Sequence, residues 1–381
     1  MKVYLVGGAV RDQLLDLPVV ERDWVVVGAT PEEMLAANFR RADSDFPVFL
    51  HPETGEEYAL ARTEVKTGAG YKGFQVESGP EISLEQDLLR RDLTINAMAL
   101  DEMGNLIDIC GGREDLDNGL LRHITTAFTE DPVRLLRIAR FAAKLGRWGF
   151  KVAHETHVLM KKMAASTDLM SLKPERIWRE MNRSFSEPQP WRFFEVLQNC
   201  GALRRLLPDV AAEMGIAGHK KLNQTQVMAP LKQVVKESDD PVVRCGVALF
   251  AVVLMVSNQQ EWMDKLRLDK AGRLLLRDLL EFNQHIDEMY QAECLLRFVV
   301  KLKPQQQPKR FQRFLIAANG LWPQALSKLL PVLKIAAEIV EEKVPESLMG
   351  SELKGPALGK ALFAWRVNRL QEVIRTMGAP N

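Results

Sequence analysis

The chain has 381 residues, enough for two or three domains each with its own core, and its 46% hydrophobic and 27% charged residues are the proportions of a globular protein. A net charge of +1 does not by itself announce a nucleic-acid binder, and no apolar run reaches the roughly 20 residues of a membrane-spanning helix. The first residues read as a strand rather than a charged leader, so secretion is not expected. Four cysteines, Cys110, Cys200, Cys245 and Cys294, stand far apart with no CxxC pair, which suits a reducing cytoplasm and argues against a zinc ribbon.

Along residues 1–125 the pattern is mixed. VYLVGG, DWVVVG, FPVFLH and EEYALART are short apolar or alternating runs bounded by Gly, Pro and Asp, the signature of strands. AVRDQLLDL, between the first two, reads as a short helix. TPEEMLAAN reads as a second helix, with Thr30 as N-cap, Pro31 in the first turn and Glu33 three residues on. KTGAGYKGFQ, residues 66–75, carries three glycines without periodicity and is expected to be a mobile loop. From Asp131 the strand signal fades into helical patterns: PVRLLRIARFAAKLG, PERIWREMNRSF, WRFFEVLQNCGALRRLL and AGRLLLRDLLEFNQHIDEMYQ, with breaks at Gly146, Pro188, Pro208 and Pro304. There is no fixed-period repeat and no low-complexity segment. The expected fold class is α+β: a catalytic head over 1–125 with a mixed sheet and helices, a helical neck over 126–215, and a helical body and tail over 216–381.

Several clusters are able to carry chemistry. Gly7-Gly8 at a strand end lets the backbone turn sharply and set its N–H groups against an anion, and Arg11 then reaches the same anion as a forked donor. The stretch has no GxxxxGK[ST] and GGAVRD lacks the third glycine of a dinucleotide fingerprint; alone, such a pair is more often a plain turn. Glu21 and Asp23, at i and i+2, point to one side of an extended segment. Such a pair suits Mg²⁺, and two metals about 3.5–4 Å apart would activate a hydroxyl and stabilise a leaving pyrophosphate. The plainer alternative is two solvated turn residues flanking Arg22. In LEQDLLRRDLTINAMAL, Arg90, Arg91 and Asp92 abut an apolar run containing Asn96, whose amide needs a partner there and is a candidate to tie the cluster together. Arg91 is a candidate for a nucleotide phosphate or sugar, with a surface ion pair as the alternative. In TEDPVRLLRIARFAAKLG, Glu130 or Asp131 before Pro132 marks a helix start, and Arg134, Arg137, Arg140 and Lys144 fall on one stripe. Four cations so close repel unless something anionic lies nearby, so the stripe is either a solvated face or a wall of donors. Residues 133–153 and 297–313 each carry six Lys or Arg and no acid; in a balanced protein each stretch is either a local footprint for phosphate or a solvated helix face.

GGAVRD with E-x-D, then RRDLTINAMAL, then DICGGREDLDNGLLR, then EDPVRLLRIARFA, in this order, resemble the class II tRNA nucleotidyltransferases, the CCA-adding enzymes of the polymerase β superfamily, in their gammaproteobacterial type. The resemblance is strong over residues 1–150 and weaker to residue 210. It implies a polymerase β-like head in which Gly8 and Arg11 bind the triphosphate, and Glu21 and Asp23 are the catalytic carboxylates that hold Mg²⁺. It further implies that Arg91 contacts the nucleotide, Asp92 the ribose, and Asp131 with Arg134 the edge of the incoming base. Arg137 and Arg140 would contribute from the same helix. The implied reaction is attack of a tRNA 3′-hydroxyl on the α-phosphate of CTP or ATP, without a nucleic-acid template. The partner is then the tRNA acceptor arm, with Arg297, Lys301, Lys303, Lys309, Arg310 and Arg313 as candidate contacts in the tail; no membrane and no obligate protein partner are expected.

Two departures stand out. The family's metal pair is normally Asp-x-Asp, and Glu21 holds the first position on a stem one methylene longer. The gammaproteobacterial enzymes often carry a C-terminal HD phosphohydrolase domain, but no His-Asp doublet occurs among the six histidines, and the chain reads RCGVALFAVVLMV where it would fall; no metal-dependent phosphohydrolase activity is expected. The rival readings are a poly(A) polymerase, an enzyme adding only CC or only A, and a catalytically inactive RNA binder. SDFPVFLHPETGEEYALART lacks the basic-aromatic stretch of the poly(A) enzymes, and KTGAGYKGFQ supplies the loop that CC-only enzymes lack.

Overall fold

The computed structural model describes residues 1–42, 47–66, 74–213, 228–349 and 354–376. These divide into two compact units, Met1–Pro208 and Asp209–Asn381. The expected head and the expected neck as far as Pro208 fall in the first unit, Asp209 onward belongs to the second, and the expected neck–body boundary at residue 215 falls outside the described residues.

The first unit is built on a sheet of seven strands: β1 (Lys2–Val6), β2 (Asp23–Val27), β3 (Arg40–Arg41), β4 (Val48–Leu50), β5 (Glu57–Leu60), β8 (Met98–Leu100) and β9 (Leu106–Asp108), in the order β3-β4-β5-β2-β1-β8-β9. Two further strands, β6 (Arg62–Lys66) and β7 (Phe74–Ser78), form a separate hairpin. Period-two alternation decides what each face covers. Val25 packs with Val6, Ala61, Leu88 and Ala99 on one face, while its neighbour Val26 packs with Met34, Phe49 and Leu60 on the other.

Register matters most for the site. Val6 faces Asp23 across the antiparallel β1–β2 pair, and Asp23 faces Glu57 across the parallel β2–β5 pair. The end of β1 and the start of β2 therefore meet at the same end of the sheet. There Gly7 takes a φ of +71° and turns the chain into α1 (Gly8–Leu14).

α2 (Pro31–Ala36) forms with the expected capping box, Thr30 Oγ1 accepting from Glu33 N–H and Glu33 reaching back to Thr30 N–H. α3 (Leu84–Leu89) is capped the same way by Ser83 and Gln86. EEYALART splits at Ala61 into β5 and β6, which belong to different sheets. Lys66 and Phe74 pair as the inner rungs of the β6–β7 hairpin, so the expected loop over 66–75 loses its ends to strands; residues 67–73 lie outside the described residues.

α4 (Gly112–Asp117) leads toward the neck, whose main helices are α5 (Val133–Leu145), α6 (His154–Ala165), α7 (Pro174–Phe185) and α8 (Trp191–Asn199). α5 buries Leu135, Leu136, Ile138, Ala139 and Ala142 against α7 and α8 and ends at Gly146, as its sequence predicts. A short parallel pair, Leu120–Leu121 with Lys151–Val152, breaks the expected all-helical run.

The described part of the second unit is helical. Its core includes Phe282, Phe298 and Phe314, with ring centroids 5.0–5.7 Å apart, contributed by helices Lys270–Gln284, Ala292–Leu302 and Pro308–Leu321. RCGVALFAVVLMV lies within helix Pro241–Met255, where Val243, Cys245, Val247, Leu249, Phe250, Val252 and Val253 are all buried. The four cysteines are free thiols, and no described helix is long and apolar enough to cross a membrane.

Candidate active site

A cavity of about 900 Å³ in the first unit is lined by Gly8, Arg11, Glu21, Asp23, Arg91, Asp92, Asp131, Arg134, Arg137 and Arg140. These come from four separate sequence motifs, brought together by α1, the β1–β2 end, the turn after α3, and α5. Ten basic and six acidic side chains line the cavity, so the wall as a whole suits a polyanion.

At the sheet end, the positive φ of Gly7 is what calls for glycine; a Cβ there would also stand 2.8 Å from Arg91 Nη1 and push that guanidinium aside. Glu21 and Asp23 are both exposed to the cavity. Loss of water raises the Asp23 pKa above the ordinary carboxylate range; Arg91 works against this and the charge of Glu21 adds to it. Arg22, between them, turns away to Glu56 at 3.5 Å.

Arg11 is only 3% exposed. Its Nε and Nη2 donate to Asp12 at 2.8 and 2.7 Å and its Nη1 to Asn96 Oδ1 at 2.5 Å. Asn96 Nδ2 donates to Asp92 Oδ1 at 3.2 Å, and Arg137 Nε donates to Asp92 Oδ2 at 2.6 Å. Asn96 thus links Arg11 to Asp92, the tie expected of a polar residue in an apolar run. Burial opposes the charge on Asp92, but the Arg137 guanidinium, with help from Asn96 and Arg134, lowers its pKa to about 2.

Asp87 organises the neighbouring arginines. Its carboxylate is fully buried and accepts from Arg90 at 2.5 Å and from Arg91 at 3.0 Å. Sequence reasoning missed it, although its i+3 and i+4 spacing to Arg90 and Arg91 on one helical turn was a readable signal.

The α5 stripe finds its counter-charges inside the protein. Arg137 pairs with Asp92, Arg140 with Glu180 at 2.8 Å, and Lys144 with Asp12 at 2.8 Å. Arg134 instead donates to the carbonyls of Ala127 and Arg90, at 3.3 and 2.9 Å. Pro132, not Asp131, caps α5, and Asp131 stands one residue earlier with its carboxylate accepting from Val133 N–H at 3.0 Å. The same carboxylate holds Arg176 of α7 in a two-bond fork at 3.1 and 2.8 Å. Arg176 had no signal in the sequence, because α7 reaches this wall only through the tertiary packing of α5.

The tail candidates divide in two. Arg310 forks onto Asp278 at 2.8 and 2.6 Å, and Arg313 binds Asp240 at 2.7 Å, so both brace the second unit. Arg297 pairs with Glu293 at 2.5 Å and Lys301 with Glu281 on exposed faces. Lys303 and Lys309 are exposed.

The sequence profile described as the Poly A polymerase head domain matches residues 3–122, and that described as a probable RNA and SrmB- binding site of polymerase A matches residues 149–214. A protein named Multifunctional CCA protein in Thioalkalivibrio sulfidiphilus is 41% identical, covering 98% of this chain and 98% of its own. One of the same name in Pseudomonas aeruginosa is also 41% identical, covering 96% and 97%. This chain belongs to the CCA-adding enzyme family. The CCA-adding fold is likewise that of two solved relatives: the Bacillus stearothermophilus CCA-adding enzyme in complex with CTP, 21% identical with a TM-score of 0.66 over 99% of this chain and 94% of that one, and the Thermotoga maritima CCA-adding enzyme complexed with tRNA, 22% identical with a TM-score of 0.66 over 99% and 91%. As a CCA-adding nucleotidyltransferase the chain is an enzyme of a class that generally uses a divalent metal. Two carboxylates side by side, one with its pKa raised by lost water and by its neighbour's charge, are hard oxygen donors that fit such an ion.

Proposed function

We propose that this protein adds C, C and A to the 3′ end of tRNA, taking CTP and ATP as substrates and releasing pyrophosphate, with the cavity of the first unit as the active site. The observation that carries the reading is that every nucleotide-site residue implied by the sequence motifs lines one cavity with an excess of positive charge.

Glu21 and Asp23 would hold Mg²⁺, the small hard cation that keeps company with phosphates. When bound, that ion would favour ionisation of the attacking hydroxyl and offset charge on the triphosphate. The chain's own residues position the reactants. Gly8 of the Gly7-Gly8 turn and the guanidinium of Arg91 line the cavity together with the carboxylates and would cradle the triphosphate, while the Gly7 N–H is already given to the Met98 carbonyl at 3.2 Å. Arg11 is already committed to Asp12 and Asn96 and keeps little surface, so its contribution is to fix that turn and lend positive charge.

Base choice would rest on Asp131 and Arg134. Cytosine and adenine share an exocyclic amine beside a ring-nitrogen acceptor, so a carboxylate that accepts and a guanidinium that donates suit both. Arg176 and Val133 occupy part of the Asp131 carboxylate, but two oxygens offer about four acceptor sites, and Arg134 has five N–H donors of which two go to carbonyls. Fixed side chains would thereby replace a template, and catalysis is positioning plus electrostatics. Free thiols fit work in the reducing cytoplasm.

The test is incorporation on tRNA ending at the discriminator base, with Mg²⁺ and labelled CTP or ATP, singly and together. Three added nucleotides followed by a stop are expected. A long ladder from ATP alone would point to a poly(A) polymerase, and bound tRNA with no incorporation under any condition to an inactive binder.

A further inference from the structure

Three side chains of different donor chemistry converge on one turn of the second unit. Helix Lys270–Gln284 ends at His285, whose backbone N–H donates to the carbonyls of Glu281 and Phe282, each at 3.3 Å. A single 3₁₀ turn, Glu288–Tyr290, follows, with Glu288 N–H donating to His285 O at 2.9 Å and Met289 buried beneath it at 1% exposure. The next helix, Ala292–Leu302, carries Cys294 in its first turn. His285 Nδ1 lies 2.9 Å from Glu288 Oε2, and one donor atom from each of His285, Glu288 and Cys294 lies within 4.8 Å of the other two. No other group of three or more metal-ligand side chains is this close among the described residues.

We propose that His285, Glu288 and Cys294 form a binding site for a zinc-class divalent cation that ties the end of one helix to the start of the next. The donor set chooses the ion. An imidazole nitrogen and a thiolate disfavour Mg²⁺ and Ca²⁺, which take oxygen, and suit Zn²⁺ with the carboxylate as third ligand. Zinc bonds of about 2.0–2.3 Å in a tetrahedron put ligand atoms about 3.5 Å apart. Closing from within 4.8 Å is therefore a matter of side-chain rotation on a backbone already pinned by Met289.

The nearby cations do not fill the place: Arg297 is held by Glu293 and Lys301 by Glu281. All three ligands are at least partly exposed, which leaves a path for the ion and a fourth position for water. On binding, the Cys294 thiol loses its proton to solvent and the sulfur lone pair goes to the metal.

Co²⁺ titration of the full-length protein, followed by absorption, tests this. One equivalent should give the near-ultraviolet thiolate-to-cobalt band, which Zn²⁺ bleaches and excess Mg²⁺ leaves in place. Cys294→Ser should lose the band, His285→Ala should bind at least about tenfold more weakly, and Zn²⁺ should raise the Tm of the wild type but not of Cys294→Ser. Circular dichroism in EDTA confirms that each variant is folded. A wild type with no thiolate band overturns the assignment, as does a folded Cys294→Ser that keeps it, since Cys110, Cys200 or Cys245 would then be the ligand.

Discussion

At the scale of single residues, one methylene separates Glu21 from the aspartate usual in the family. Glutamate offers the same two oxygens on a longer stem, and it lies exposed just outside β2. Glu21→Asp should therefore keep nucleotide incorporation, whereas Glu21→Gln should lower it by at least about a hundredfold and Asp23→Ala should abolish it while tRNA affinity is retained. Gel assays of labelled CTP addition and filter binding of tRNA separate these outcomes; full activity in Asp23→Ala would remove it from the metal site. Asp92 gives a prediction in pH. Its pKa falls to about 2 on folding from an ordinary 3.8, so its contribution, on the order of 2 kcal/mol, is present at neutral pH. It is lost as pH drops through 3.8 toward the folded value. Asp92→Asn should remove most of that stability at pH 7 and flatten the acid limb of the unfolding curve between pH 4 and pH 2. The motif residues were legible because each pairs chemistry with spacing over a few positions. Their partners were not: Arg137 meets Asp92 across 45 residues and Arg140 meets Glu180 across 40, distances that only packing sets.

At the scale of elements, α5 and the turn after α3 each carry a charged array onto the cavity wall, held by acids from within the protein except at Arg134, which donates to backbone carbonyls. Asp87 is the sharpest case. Its carboxylate has no exposure and supports both Arg90 and Arg91 from the preceding turn of α3. Asp87→Ala should leave two guanidinium groups without their acceptor and cost about 3 kcal/mol, read as a fall in Tm. It should also raise KM for CTP and ATP together, because Arg91 loses its anchor. A variant as stable as the wild type would show that other acceptors take over. α2 and α7 were readable in advance because Thr30, Pro31 and Glu33, and Pro174, are local start signals that act on their own turn. β8 and β9 were not, since TINAMAL and LIDI are short apolar runs that become strands only by pairing with β1 and with each other. α5 starts where an acid ahead of Pro132 marked it, but what else holds that acid was not legible. Asp131 accepts the Val133 N–H as a capping acid would, but the fork from Arg176 also fixes it, and that partner lies on α7.

At the scale of the whole molecule, the even charge balance conceals where phosphate would be met. Ten cationic residues of the first unit line the cavity, whereas those of residues 297–313 serve two ends. Arg310 is bound to the buried Asp278, and Arg313 to Asp240, which also accepts the Val242 N–H at the start of helix Pro241–Met255. Composition alone gave all six basic residues of this stretch the same reading; the structure distinguishes braces from free charges. If tRNA is gripped here, the exposed lysines should carry the ionic part. Each of Lys303→Ala and Lys309→Ala should weaken tRNA binding with a reduction of about one in the slope of log affinity against log salt, at unchanged Tm. Arg310→Ala should instead lower Tm by leaving the Asp278 carboxylate buried and unpaired, and Arg310→Lys should recover only part of it because a single ammonium cannot make the fork. Filter binding from low to high salt, run beside thermal melts of the same variants, reads both quantities. A lysine variant whose salt slope equals that of the wild type would place the RNA contacts of this unit on another face.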